Sequence, residues 1–324
     1  MRIINYTEAI TEALGEEMAR DANVVMWGED IAAAGGAFYA TPGLVDEFGP
    51  ERVRDTPIAE NIIVGLAVGA AATGLRPVPE IMFSDFMAYA MDPIANQMAK
   101  MRYMSGGQVT LPITIRTASG AGLRAAAQHS QSLHPWIMNL PGVKVVMPST
   151  PADAKGLLKT SIRDDNPVIF FEHKGLYNLK GEVPEGDYLI PLGKADIKRP
   201  GTDVTIVAVQ WMVHEALKAA EQLAAMGISA EVVDPRTLVP LDREAIATSV
   251  RKTRRVVIVD ECNLTCGAQS EIMAVVIEEA FDYLDAPPRR LGVPNTPFPV
   301  SPGLEDYLLP NADKITAAVE ALIR

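Results

Sequence analysis

Cysteine is nearly absent from this 324-residue chain. Its only two, Cys262 and Cys266 in Asp-Glu-Cys-Asn-Leu-Thr-Cys-Gly, form neither a C-x-x-C redox pair nor a zinc ligand set, and read as two buried free thiols in a reducing compartment. Positive charge is also short: 29 Lys and Arg stand against 41 Asp and Glu, a net charge of −12 that argues against nucleic acid or anionic membrane as a partner. Long apolar runs are missing, since Ile62 to Ala72 falls well below the length that crosses a bilayer. The opening Met-Arg-Ile-Ile-Asn-Tyr-Thr-Glu has no signal core and no Arg/Ser-rich presequence, so a cytoplasmic or mature protein is expected. Three motifs are absent as well: the G-x-x-x-x-G-K-[ST] phosphate loop, the G-x-S-x-G elbow and the H-E-x-x-H helix, which removes the main support for NTPase, α/β-hydrolase and zincin chemistry.

What is present suits a globular protein of about two domains, with 48% hydrophobic and 22% charged residues. Strand-like and helix-like patterns alternate, which predicts an α/β fold of two parallel-sheet domains. In the first half, Thr7 is expected to cap a helix through Arg20, with Ala9, Ile10, Ala13, Leu14 and Met18 facing inward. Strands are expected at Val24 to Trp27, Val53 to Asp55, Pro77 to Met82, Pro112 to Thr117, Val143 to Met147 and Pro167 to Phe171, with helices from Asp85 to Met101 and Pro151 to Arg163. The Gly-, Pro- and charge-rich stretch from Gly175 to Pro200 reads as a linker. A second alternation follows, from the strand Val204 to Val209 through a Pro-rich loop at Pro287 to Pro302 and a closing helix from Ala312 to Ile323. Asp234-Pro235-Arg236 reads as a strand-end turn.

The chemistry gathers around the stretch from Arg54 to Leu75. Pro57 fixes its own φ and pushes Thr56 toward an extended conformation, so a strand should end there and a helix begin near Glu60, where the helix dipole favours an anion. The helix behind it carries Gly65, Gly69 and Gly74 among alanines, which predicts burial against a close partner. The plainer alternative is a core helix with Glu60 as a first-turn surface acid. Glu29 and Asp30 follow a predicted strand, a place where open α/β sheets hold ligands, or else form a solvated turn. The loop from Ala118 to His134 is too polar for a core element, and long loops inside compact domains are usually functional. Within it, His129 has Gln128, Ser130, Gln131 and Ser132 at hand to fix its tautomer, whereas His134 precedes Pro135. Gly120-Ala121-Gly122-Leu123-Arg124-Ala125 fits the dinucleotide fingerprint only on paper, because no acid occurs between Arg124 and Asp153. Acids, a histidine loop and an apolar wall at Met82 and Phe86 together suit a heteroaromatic cofactor whose ring nitrogen is protonated in a dry pocket.

Six ordered blocks carry a resemblance. Asp55-Thr56-Pro57-Ile58-Ala59-Glu60, Gly74-Leu75-Arg76-Pro77, Tyr103-Met104-Ser105-Gly106-Gly107-Gln108, Ala127-Gln128-His129-Ser130-Gln131-Ser132, Pro141-Gly142-Val143-Lys144-Val145-Val146 and Asp153-Ala154-Lys155-Gly156-Leu157 make the whole chain resemble the β subunits of thiamine-diphosphate-dependent 2-oxo acid and acetoin dehydrogenases. The resemblance implies a pyrimidine-binding domain over residues 1–180 and a transketolase-like C-terminal domain over 181–324. It implies that Glu60 is the acid on the aminopyrimidine ring, which shares a proton with the ring nitrogen and so activates the thiazolium carbon. Ile58, Met82 and Phe86 match positions that pack on the pyrimidine, Glu29 matches an acid behind the site, and His129 matches the active-site histidine. Ile113, Ser161, Ile162, Asp164 and Asn166 match residues that hold a structural potassium ion in relatives, mostly through main-chain oxygens.

No Gly-Asp-Gly with a downstream Asn, the family's magnesium–diphosphate motif, occurs in the chain. The resemblance therefore implies half a site, with a separate α subunit and its magnesium bringing the diphosphate end of thiamine diphosphate. The implied partners are that α subunit, in a heterotetramer of two α and two β chains, and a lipoyl-bearing acyltransferase core. Glu80 to Phe86 and Glu172 to Tyr177 look most like acetoin dehydrogenase β subunits, with pyruvate or branched-chain 2-oxo acid enzymes as the alternative. A catalytically silent assembly subunit and a stand-alone transketolase-like enzyme are the competing readings, and the second of these needs the missing diphosphate motif.

Overall fold

The computed structural model describes residues 1–323 and divides the chain into two compact units, Met1–Ser119 with Trp136–Leu192, and Gly120–Pro135 with the chain from Gly193 on. Both are built on parallel sheets, as the alternating pattern predicts.

In the first unit the strands are β1 (Arg2–Asn5), β2 (Val24–Gly28), β3 (Val53–Asp55), β4 (Arg76–Phe83), β5 (Thr114–Ser119), β6 (Lys144–Val146), β7 (Val168–His173) and β8 (Lys180–Val183). Six of them form a parallel sheet in the order β6-β7-β5-β4-β2-β3. The order turns back at β2, whose neighbours are β3 on one side and β4 on the other, and the crevice at the carboxyl ends of such strands is where open α/β sheets bind ligands. The helices are α1 (Tyr6–Arg20), α2 (Leu44–Phe48), α3 (Glu60–Ala72), α4 (Met101–Met104), the one-turn α5 (His134–Met138) at which the chain returns to this unit, and α6 (Pro151–Arg163).

Local chemistry explains most of these boundaries. Helix α1 is capped by Asn5 rather than Thr7. The Asn5 side chain accepts from Glu8 N at 2.7 Å and the Glu8 carboxylate accepts from Asn5 N at 2.8 Å, a reciprocal box that outcompetes a lone threonine, whose hydroxyl instead donates to Tyr177 O. Helix α6 starts where expected, with Thr150 accepting from Asp153 N and Pro151 in the first turn, where its missing N–H costs nothing. The continuous helix expected from Asp85 to Met101 is broken instead. A 3₁₀ turn covers Ser84–Ala88 and a π turn covers Pro93–Met98, in which Ala99 N reaches back to Ile94 O, because Pro93 cannot donate and disrupts the regular ladder.

The stretch read as a linker holds two strands. Lys180–Val183 pairs antiparallel with β1, and Asp196–Arg199 joins the second sheet as its antiparallel edge. Their partners lie far away in the chain, so local composition hides them. The second unit contains β9 (Asp196–Arg199), β10 (Val204–Ala208), α7 (Trp211–Ala225), β11 (Ala230–Asp234), β12 (Thr237–Val239), α8 (Arg243–Thr253), β13 (Val256–Asn263), α9 (Ala268–Ala280), β14 (Arg289–Val293), α10 (Pro302–Leu308) and α11 (Ala312–Ile323). Its five-stranded sheet runs β14-β13-β10-β11-β9 and turns back at β10. Val204, Ile206, Val232, Val257 and Val259 of the sheet pack with Val213, Ala216, Leu223, Ile315 and Val319 of α7 and α11 in its core. The sequence pattern assigns nothing between the Pro-rich loop and the closing helix, where the structure has α10, started by Pro302 at the loop's end. Asp234 does close a turn, accepting from Arg236 N at 2.9 Å. Of the two cysteines, Cys262 is buried, but Cys266 is exposed, because it follows β13 in a loop and adopts a positive φ of 56°. No helix among the described residues is long and apolar enough to cross a membrane.

A buried ion cluster ties the middle strands of the first sheet together. Arg116 on β5 donates to Glu80 on β4 at 2.7 Å and twice to Glu172 on β7, at 2.6 and 2.9 Å, while the Tyr177 hydroxyl donates to Glu172 at 2.8 Å. Burial opposes the Arg116 charge, yet the two carboxylates outweigh it and hold the guanidinium above its ordinary range. Burial pushes Glu80 and the Tyr177 phenol up. Arg116→Met leaves two buried carboxylates without their cation, and is expected to lower unfolding stability by about 3–5 kcal/mol in a denaturant titration. A loss of only about 1 kcal/mol or less would mean that the cluster is solvated.

Candidate active site

Three strand ends converge on one set of acids in the first unit. β2 ends at Gly28 and is followed at once by Glu29 and Asp30, β3 ends at Asp55 and leads through Thr56 to Ala59 into Glu60, and Glu80 and Met82 lie in the last half of β4. The turn after β3 is tied to β2 by Thr56 N donating to Gly28 O at 2.9 Å. Asp55 in turn accepts from Ala32 N and Ala33 N at 2.7 and 3.1 Å, fixing the loop that leaves β2. Trp27 on β2 donates its indole N–H to Ile63 O at 2.9 Å and so anchors the first turn of α3 against the sheet.

Glu60 is the first residue of α3 and is 7% exposed, and the residue before it, Ala59, supplies no side-chain cap. Ile62 N and Ile63 N donate to Ala59 O, at 2.9 and 3.0 Å, and no side chain caps the helix start, a place where the dipole favours an anion. Glu29 is also buried. Burial pushes its carboxyl up, and the charges of Glu60, Asp30 and Glu80 add to the rise. Among these acids the rise falls on Glu29, and a carboxyl whose proton is held more tightly is better able to share it with a heterocyclic nitrogen.

The apolar wall is aromatic. Phe86 meets Phe83 edge to face at 5.5 Å, Phe83 meets Phe38 at 5.5 Å, and Phe38 stacks on Tyr177 at 4.7 Å, with Lys174 Nζ 5.2 Å from the centre of the Phe83 ring. Met82 and Phe86 are partly buried, whereas Ile58 is 82% exposed. The Thr56 hydroxyl in the same turn is buried without a hydrogen-bond partner, a polar group left for a ligand to satisfy. A flat, basic heterocycle fits this donor set: an acid whose carboxyl is raised, apolar rings and an orphaned hydroxyl.

Glu29, Glu60, Met82 and Phe86 are therefore all placed on the first unit around its sheet reversal. His129 belongs to the second unit, half-buried in the segment Gly120–Pro135, with its N–H donating to Ala126 O at 3.4 Å. The five oxygen-bearing residues gather around the end of α6. Ile113 O accepts from Val168 N, Ser161 O accepts from Asp164 N, and Ile162 O and Asp164 O both accept from Arg76 Nη1, at 2.9 and 3.1 Å. Asn166 Oδ1 accepts from Arg102, and the Asp164 carboxylate pairs with Lys144 and accepts from Asn166. The structure thus already sets two protein cations on this cluster, the Arg76 guanidinium on two of the carbonyls and Lys144 on the Asp164 carboxylate.

In the sequence Glu80, Glu172 and Tyr177 figure only as parts of the acetoin-like segments, and Arg116 is not singled out; their ion cluster joins three strands remote in the chain, which no local pattern signals. The expected burial of α3 is half correct. Ile63, Val64, Ala67, Val68 and Ala71 are buried, but Ile62 is 65% and Leu66 52% exposed, and a Cβ added at Gly65 or Gly69 would meet nothing within 4 Å. Beside that face lies a cleft of about 460 Å³ lined by Trp27, Arg54, Pro57, Ile62, Leu66 and Leu75 among others. Its lining reaches Ala59 but not Glu60.

Comparison with known proteins adds ancestry to this geometry. Residues 2–180 match the family described as transketolase, pyrimidine binding domain, and residues 193–315 match the transketolase C-terminal domain. The chain is 52% identical to the β subunit of acetoin:2,6-dichlorophenolindophenol oxidoreductase from Bacillus subtilis, covering 99% of this chain and 98% of that one. It is 48% identical to the 2-oxoisovalerate dehydrogenase β subunit (99% of each chain) and 50% identical to the pyruvate dehydrogenase E1 component β subunit (96% of each), both from the same organism. A solved structure described as a split gene transketolase, inactive β4 tetramer, superposes with a TM-score of 0.79 at 27% identity over 99% of this chain and 98% of that one. With both domains matched and the acids in place at the sheet reversal, the chain belongs to the thiamine-diphosphate-dependent, transketolase-like family, among the β subunits of the 2-oxo acid and acetoin dehydrogenases.

Proposed function

We propose that this chain supplies the pyrimidine half of a thiamine diphosphate site, with Glu60 as the proton partner of the ring, in the dehydrogenase component of an acetoin-type complex. The single observation that carries the reading is the gathering of Glu29, Asp30, Glu60 and Glu80 at the carboxyl ends of β2, β3 and β4, where burial first and the neighbouring charges second raise the Glu29 carboxyl. When bound, the cofactor would supply, from its deprotonated acidic carbon, the nucleophile and electron sink needed to cleave the bond beside a substrate carbonyl. The chain's own part is to share a proton between the Glu60 carboxylate and the ring nitrogen, with Glu29 behind it and Met82 and Phe86 excluding water, while Ile58, exposed in the separate chain, is free to close over the ring. His129 would hold or move a proton at the substrate or acyl acceptor. Residues 1–180 form the pyrimidine-binding domain and 181–324 the transketolase-like domain in this reading.

The diphosphate end and its magnesium fall to an α subunit, since this chain lacks the Gly-Asp-Gly motif. The acyl group then passes to a lipoyl-bearing acyltransferase. Acetoin-type substrate is favoured by the segments Glu80 to Phe86 and Glu172 to Tyr177. Pyruvate or a branched-chain 2-oxo acid is the second reading, supported by identities of 50% and 48% to those β subunits. The name of the solved β4 transketolase, inactive, agrees with a β chain that carries only part of a site.

Co-expressed with its α partner, Glu60→Gln is expected to assemble normally and lose turnover about 100-fold or more, the scale of a lost acid–base partner. Turnover at the wild-type level would remove Glu60 from the chemistry. The exposed stripe Ile62, Gly65, Leu66 and Gly69 is proposed as the subunit contact. Leu66→Lys should leave the melting temperature of the separate chain unchanged while weakening assembly at least about tenfold in sedimentation, the cost of one unburied leucine. Assembly at unchanged affinity would place the interface elsewhere.

A further inference from the structure

The segment that carries His129 has an unusual backbone. Alternate residues adopt positive φ: Gly120 at 88°, Gly122 at 93°, Arg124 at 60° and Ala126 at 62°. Two of these are not glycine, and such conformations persist only where surrounding contacts over-determine them. The contacts are carboxylates of the same unit. Gly122 N and Arg124 N both donate to Glu305 on α10, at 2.8 and 3.2 Å, and Arg124 Nη1 donates to the same carboxylate at 2.5 Å. The alternating backbone thus forms an anion-binding nest, filled by a glutamate side chain that is wholly buried. Asp306 takes the other arm of the Arg124 guanidinium at 2.7 Å.

A second anchor lies on β13. Glu261 accepts from Ala121 N at 2.9 Å and from Ser132 Oγ at 3.2 Å, and Asp260 pairs with His134 Nε2 at 2.7 Å, with both partners buried. Cys262 Sγ lies 3.1 Å from the same Asp260 oxygen. β13 and β10 flank the point at which this sheet reverses its strand order, the place where an open α/β sheet ordinarily receives a ligand. Here the carboxylates at that position hold the chain's own loop at both ends, with His129 between Arg124 and His134.

We propose that Glu305, Glu261 and Asp260 are positioning residues for His129, and that the second unit's contribution to the reaction is to fix the geometry of this loop. The inference rests on the reading of His129 as an active-site residue. None of the three carboxylates touches the reacting atoms in this account. Each acts through the main chain or through His134.

The test uses the assembled α–β enzyme with Glu305→Ala, Glu305→Gln and Arg124→Gln. Hydrogen exchange should accelerate across residues 120–135 and nowhere else in Glu305→Ala, with kcat falling about 100-fold, the scale of a misplaced catalytic group, while substrate KM and thiamine diphosphate affinity stay unchanged. Glu305→Gln keeps an acceptor for the N–H groups and should recover part of both effects. If Glu305→Ala does not assemble, Arg124→Gln, which removes only the guanidinium contacts, should show the same two changes on a smaller scale. Unaltered exchange in the loop, or faster exchange with unchanged kcat, overturns the proposal. A wild-type pair with no turnover would instead overturn the functional reading, and the exchange arm would still report on the clamp.

Discussion

Carboxylates brought together away from water ionise less readily, because burial and like charge both penalise the charged form. That constraint shapes the first unit. The reversal of strand order at β2 forces the ends of β2, β3 and β4 into one crevice, and the sequence places Glu29, Glu60 and Glu80 on those three ends. Arg116 is committed to Glu80 and Glu172 deeper in the sheet, so Glu29 and Glu60 share a neighbourhood of like charge. That crowding, with burial, holds the Glu29 carboxyl above its ordinary range, and the proposed proton exchange with a ring nitrogen builds on it.

The same parallel architecture explains why the chain is built as a part. A parallel sheet needs helices on both faces, and α3 covers one of them with Ile63, Val64, Ala67 and Val68. Its other face presents Ile62 and Leu66 beside two glycines with open space above them, a surface that a second chain can approach to backbone distance. The second sheet repeats the design with a different outcome. The acids beside its reversal, Asp260 and Glu261, bind the loop that bears His129.

Much of this was legible in the sequence, for reasons that differ from residue to residue. Pro151 to Arg163 was readable to its ends because Thr150 and Pro151 are local signals, and Glu60 was placed at a helix start because Pro57 restricts the turn before it. Strands β8 and β9 were not, since their identity depends on partners remote in the chain. Nor was the role of His134, whose only sequence signal is a following proline and whose partner Asp260 lies on another element. The exposed half of α3 could not be told from a buried one, because small apolar residues serve equally in a core and in a contact between chains. Ordered motif blocks supplied the family, and they also carried His129, which neither spacing nor periodicity could assign.

The most direct test of the central claim is the pH dependence of melting in the wild type against Glu29→Gln. A carboxyl raised above its ordinary value of 4.5 binds a proton in the folded state that the unfolded chain has already released. The stability from that proton is fully present below pH 4.5 and is lost as pH rises through the raised value. The glutamine variant, which carries no charge at any pH, should therefore gain melting temperature relative to the wild type as pH increases from 4.5 toward neutrality. A difference that stays constant, or that shrinks as pH rises, would contradict the account of the acid cluster.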